Sequence, residues 1–325
     1  MIRYVVNIFC LFLIAWLTIS CSSSKNTSQE SGDDIVLVDE TIIVPDTFVL
    51  PDMPAELTNA DARADYLVMH YWDRFDFSDA SLIDKPEITE QAFVDYVNIL
   101  YYATSKKAEE SLRHTLSKAS GNKEMYIHFV SLFEKYFYNA NSPFRNEEFY
   151  IPVLQEVLKS DLLTEEQKSA YRLQQEFTRK NRVGQAANDF TFTSESGQDS
   201  KMSSINSEFL ILLFTNPECS TCMAVTDMIN KSEAINKAFS HNTPQRTMLT
   251  VLSVYPDDDI ESWKSHLDGL PGNWIHAYDK GMQITKGKLY DLKAIPTIYL
   301  LDKNKKVILK DTSVELIEAF FELPK

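Results

Sequence analysis

Two cysteines separated by Ser220 and Thr221 stand out in the segment Thr215-Asn216-Pro217-Glu218-Cys219-Ser220-Thr221-Cys222. The apolar run Phe209-Leu210-Ile211-Leu212-Leu213-Phe214 before them reads as a strand, and Cys222 opens a helix. A thiol at a helix N-terminus has its thiolate stabilised by unpaired backbone N–H groups and by the positive end of the helix dipole, so its pKa falls and its reactivity rises. A second thiol one turn on can close a disulfide with it. This spacing suits thiol–disulfide exchange: Cys219 attacks a partner disulfide, and Cys222 resolves the mixed disulfide by attacking Cys219. The loop between the two sulfurs is too small to constrain the unfolded chain much, so the pair has a chemical purpose. The cycle needs no metal and no cofactor. Zinc sites use the same spacing but require two further ligands. His241, His266 and His276 lie nearby in sequence at irregular intervals and read as surface or core residues. Copper carriage would rest on the same two sulfurs alone.

The elements that must hold these thiols follow from the pattern around them. Beyond Lys180 the helical period stops at Gly184, and Asp189-Phe190-Thr191-Phe192-Thr193 begins an alternation. Strands are predicted at Phe209–Phe214, Thr247–Tyr255, Trp274–Tyr278, Thr297–Leu301 and Val307–Lys310. Helices are predicted at Cys222–Phe239, Asp258–His266 and Val314–Phe321. That order is α/β. From Ala60 to Lys180 apolar residues recur at helical spacing, as in Tyr126, Phe129, Val130, Phe133, Tyr136 and Phe137. Thr164 and Gln167 form a capping box, and turns fall at Lys85-Pro86, Gly121-Asn122 and Asn141-Ser142-Pro143. This half is an all-α bundle of about five or six helices. Its aromatic stretch His70-Tyr71-Trp72-Asp73-Arg74-Phe75-Asp76-Phe77 reads as core, since aromatics at helical spacing pack inward. His70, His114 and His128 show no metal-ligand spacing.

Three separated features make the C-terminal portion resemble the thioredoxin superfamily, in particular the periplasmic TlpA/ResA-like reductases. One is the strand with its paired cysteines. Another is Gly184-Gln185-Ala186-Ala187-Asn188-Asp189-Phe190, similar to the segment that leads into those domains. The third is Ala294-Ile295-Pro296-Thr297-Ile298-Tyr299-Leu300-Leu301-Asp302. The resemblance implies a cis Ile295–Pro296 bond facing the cysteines. It also implies that Ile295 and Pro296 bind substrate, Ile295 offering backbone groups to an extended peptide. Two departures stand out. Leu213 occupies the position of a buried acid in thioredoxins proper, leaving the proton acceptor unassigned, and Glu218 replaces a tryptophan. Like-charge repulsion from Glu218 would raise the pKa of Cys219. Ser220-Thr221 holds no cation to stabilise the thiolate further, which points to a reductant of protein disulfides supplied by an upstream electron donor. The other function class is a partner- or ligand-binding envelope protein in which the thioredoxin-like domain is mainly a scaffold.

The remainder of the chain bears on location. Its 325 residues suffice for two domains, and 44% hydrophobic with 24% charged residues is a globular composition. A formal net charge of -15 disfavours nucleic acid. Arg3 followed by the apolar stretch Tyr4–Leu17 reads as a signal peptide over 1–20, which would remove Cys10. Ser20-Cys21 resembles the end of a bacterial lipobox, although Thr18 replaces the usual leucine. The resemblance implies lipidation of Cys21, membrane attachment through that anchor, and, with Ser22 following, an outer-membrane position facing the periplasm. Residues 21–55 read as a flexible tether and extended segment, 56–182 as the helical domain and 183–325 as the thioredoxin-like domain.

Overall fold

The computed structural model describes residues 47–323. The signal peptide expected over 1–20, the lipidated Cys21 and the tether up to 46 lie outside the described residues. Among the described residues no helix is long and apolar enough to cross a membrane. Two compact units divide the chain, the first ending at Ala108 and the second beginning at Glu109.

In the first unit, helices α1 (Ala60–His70) and α2 (Thr89–Leu100) flank a short 3-10 turn at Ala80–Asp84. Asn59 caps α1 by accepting the amide of Ala62. Tyr71, Trp72, Phe75 and Phe77 of the aromatic stretch are buried with Phe93 and Tyr96 of α2, many of them edge to face. The Tyr71 hydroxyl donates to the Ala92 carbonyl at 2.9 Å. The end of the tether and extended segment expected over 21–55 packs on this unit: Phe48 stacks on Tyr71 at 4.9 Å, and Arg74 donates to the Leu50 carbonyl. Helix α3 (Ser105–Ala119) starts where Asp65 accepts the amide and hydroxyl of Thr104.

The second unit contains α4 (Lys123–Phe137), α5 (Glu147–Lys159) and α6 (Glu165–Thr178). Asn122 and Asn146 cap the first two, and Thr164 with Gln167 makes the expected capping box on the third. The helical stripe is the core: Phe129, Phe133, Phe137, Tyr150, Val153, Leu154 and Val157 are buried. Then follow β1 (Thr191–Ser194), β2 (Asp199–Lys201), β3 (Phe209–Phe214), α7 (Ser220–Lys231), α8 (Glu233–Ser240) and β4 (Leu249–Tyr255). The chain ends through α9 (Ile260–Ser265), β5 (Ile275–Tyr278), α10 (Gln283–Lys286), β6 (Thr297–Asp302), β7 (Val307–Leu309) and α11 (Val314–Glu322). An all-α region thus precedes the α/β domain expected from the sequence. The helices from Glu109 to Thr178 pack in the same compact unit as the sheet.

The sheet has seven strands in the order β2-β1-β5-β4-β3-β6-β7. β3, β4 and β5 run parallel, while β6 lies antiparallel to β3. Central strands covered on both faces must be apolar throughout, which is why Phe209–Phe214 shows no alternation. Leu210, Leu212 and Phe214 face one core with Phe190, Leu252, Tyr290 and Tyr299. Ile211 and Leu213 face the other, covered by Ile229, Ile235, Val314 and Ile317.

The single helix expected from Cys222 to Phe239 is instead two. Ser232 takes an extended conformation, closes α7, and caps α8 by accepting the Ile235 amide. The hairpin at β2 had no sequence signal beyond Gly197, which turns with φ +80.

Leu212→Ala should lower stability by about 2–5 kcal/mol, because the site is closed on both sides by strands β4 and β6 and cannot collapse around the lost atoms. A urea melt followed by far-UV circular dichroism measures it.

Candidate active site

Strand β3 delivers the cysteine loop. The Thr215 amide continues the ladder by donating to the Val254 carbonyl at 3.0 Å, and then the chain turns. Asn216 makes the turn: its side-chain oxygen accepts the Glu218 amide at 2.9 Å and its carbonyl accepts the Cys219 amide at 3.0 Å. Cys219 is thereby the N-cap of α7. Its sulfur accepts the Cys222 amide at 3.2 Å, as a serine or aspartate oxygen would at this position.

The opposing wall comes from β6. Phe214 pairs with Thr297, so the residues just before Thr297 meet those just after Phe214. Ile295 and Pro296 are joined by a cis peptide bond. The Cys219 thiol lies 3.9 Å from the Ile295 carbonyl, and the Thr297 hydroxyl donates to the Ala294 carbonyl at 2.6 Å, holding the loop. The structure therefore brings Cys219, Cys222, Ile295 and Pro296 to one place, at the end of the sheet where α7 begins.

Both cysteines are free thiols, Cys219 half-buried and Cys222 buried. Their acidities diverge. The hydrogen bond from the Cys222 thiol, helped by the backbone amides of Cys222 and Thr221, holds Cys219 below an ordinary cysteine. Burial pushes Cys222 up to about 11, and its hydrogen bond to Cys219 pushes the same way. Cys219 is thus the more accessible and more acidic of the two sulfurs, and Cys222 holds its proton more tightly.

The upward push expected from Glu218 does not govern Cys219. The Glu218 carboxylate turns aside and accepts the Ser262 hydroxyl at 2.5 Å, and the balance on Cys219 is downward. Leu213 lies in the helix-covered core, and the groups that favour the Cys222 thiolate are the Asn216 backbone and the Thr215 side chain. Thr215 and Asn216 escaped the sequence analysis; their one signal was two polar residues directly after a fully apolar strand. The histidines lie elsewhere. His266 meets the Ser262 carbonyl at 2.8 Å, while His276 meets the Pro271 carbonyl at 2.9 Å and stacks on Trp274. Among the described residues no group of three His, Cys, Asp or Glu side chains is gathered as metal ligands.

Comparison with known proteins agrees with this architecture. The family description "thioredoxin-like" matches residues 206–307, and "domain of unknown function (DUF5106)" matches residues 20–181. The crystal structure of a thioredoxin-like protein from Bacteroides caccae is 40% identical, with a TM-score of 0.82, and covers 86% of this chain and 100% of its own. The C-terminal domain of an uncharacterized protein from Bacteroides fragilis is 37% identical over 44% of this chain and 99% of its own, with a TM-score of 0.42. A thiol-disulfide oxidoreductase from Bacteroides fragilis is 20% identical over 42% of this chain and 98% of its own, with a TM-score of 0.36. No curated protein matches the chain.

The split in acidity predicts two well-separated alkylation steps. Iodoacetamide labelling of the reduced protein should give a Cys219 rate that rises at a pH below that of a free cysteine. Cys222 should stay unlabelled until the pH approaches about 11. Mass spectrometry of each peptide across pH reads both, and equal profiles would contradict the assignment.

Proposed function

Since this chain belongs to the thioredoxin-like family, we propose that it is a thiol–disulfide oxidoreductase that reduces protein disulfides through Cys219 and Cys222. The observation that carries this reading is the Cys219 sulfur on the N-terminus of α7, lowered in pKa and 3.9 Å from the Ile295 carbonyl beside cis Pro296. A sulfur so placed can meet an extended peptide lying along the Ile295–Pro296 loop.

The cycle balances without a cofactor. The Cys219 thiolate attacks one sulfur of the substrate disulfide, forming the mixed disulfide and releasing the substrate's other sulfur as a thiolate. That thiolate takes the Cys222 proton. The Cys222 sulfur then attacks Cys219, the second substrate sulfur leaves as a thiolate and is protonated by solvent, and the Cys219–Cys222 disulfide remains. A donor dithiol returns two electrons and two protons by the same steps in reverse.

The reductive direction rests on how little stabilises the thiolate. Only backbone amides and the second thiol support it, with no cation in Ser220-Thr221, whereas a strong oxidant needs its reduced form held down. A lipid anchor on Cys21 and a periplasm-facing envelope location complete the proposal, since dedicated reduction has targets where disulfides persist. Two acyl chains on Cys21 would give stable attachment without a spanning helix.

Purified protein with a donor dithiol should reduce insulin disulfides. Cys219→Ser should abolish turnover, and Cys222→Ala should accumulate a mixed disulfide with substrate that reductant releases. No turnover by the wild-type protein under any donor dithiol would refute the activity. For the location, Cys21→Ala should shift the protein from the membrane to the soluble fraction, and external protease should spare the wild type in intact cells.

A further inference from the structure

The loop that carries Ile295 is gripped by the helical segment. Lys293, two positions before Ile295, keeps its side chain only 19% exposed. Its ammonium lies 2.6 Å from the Asp291 carboxylate, 3.4 Å from Glu147 and 3.2 Å from the centre of the Tyr138 ring. Tyr138 closes the arrangement by donating its hydroxyl to the same Asp291 oxygen at 3.0 Å, and its ring stacks on Tyr150 at 5.3 Å. Glu147, the first residue of α5, is also ion-paired with Lys310 at 2.6 Å. Arg145 reaches Asp311 at 2.6 Å.

These contacts bracket the loop. Asp291 and Lys293 lie just before Ile295–Pro296. On the other side, Thr312, next to Asp311, donates its amide to the Ile298 carbonyl at 3.0 Å. The cysteine loop is held by β3 and α7 and takes no part in this set. A cation so buried and contacted from three directions has few alternative rotamers, so the backbone carrying it has few alternative positions.

We propose that Lys293 and Asp291, clamped by Tyr138 and Glu147, are positioning residues that hold the Ile295–Pro296 loop for peptide binding, so that the helical segment sets the affinity for peptide disulfides. This rests on the oxidoreductase reading. The thiolate itself is set by the N-terminus of α7, so loosening the loop weakens peptide capture and leaves the intrinsic reactivity of Cys219 alone.

The test uses the full chain with Lys293→Met, which keeps the stem and removes the charge, and Tyr138→Phe, which keeps the ring and removes the bond to Asp291. In Lys293→Met the KM for insulin should rise about fivefold or more with kcat within about twofold, and Tyr138→Phe should move the same way by less. The rate with hydroxyethyl disulfide, too small to span the loop, should stay at the wild-type value, as should the pH profile of Cys219 alkylation. Hydrogen exchange at the amides of 292–295 should quicken in both variants whether or not the protein turns over. Quickened exchange with an inactive wild type would keep the clamp and sink the oxidoreductase reading. Unchanged exchange, or a proportional loss with hydroxyethyl disulfide, would overturn the clamp. If Lys293→Met fails to fold, Tyr138→Phe decides by the same readouts.

Discussion

The pairing of Phe214 with Thr297 across strands β3 and β6 is the constraint on which the site depends. The Cys219 sulfur and the Ile295 carbonyl are 76 residues apart in the chain, and neither segment is held near the other by local structure. Because side chains alternate along a strand, a slip of one residue would send Leu210, Leu212 and Phe214 to the opposite core and carry the proline loop away from the thiols. The burial of both faces makes that slip costly. The core therefore fixes the chemistry: packing in Phe209–Phe214 decides where the sulfurs meet the loop.

From that register the two thiols inherit different surroundings. Cys219 stands at the helix cap with amides pointed at it, and Cys222, one turn further, points into the interior. Identical side chains acquire opposite acidities by burial and hydrogen bonding alone. With Leu213 where an acid could stand, the proposed cycle has the departing substrate sulfur take the Cys222 proton.

What could be read from the sequence was whatever lies close along the chain. The apolar strands, the cysteine spacing, the Thr164–Gln167 capping box and the aromatic core of the first unit all announce themselves within a few residues. The break at Ser232 was hidden because a capping serine between two helices looks like any polar surface residue. Glu218 was misjudged because its sequence neighbour is Cys219, while its bonding partner, Ser262, is brought in by α9. The charged set around Lys293 gave no signal at all. Arg145 and Asp311 are 166 residues apart, and each reads as an ordinary surface charge until the fold buries it.

That set has a further consequence in how its charges are shared. The helical side contributes Arg145 and Glu147, and the sheet side contributes Asp291, Lys293, Lys310 and Asp311, so each side is neutral by itself. Within this set no net charge on either side is left over to act at long range. The joining of the two sides rests on short-range ion pairs, Arg145 with Asp311 and Glu147 with Lys293 and Lys310, so that in a chain with a formal net charge of -15 this set is a neutral island.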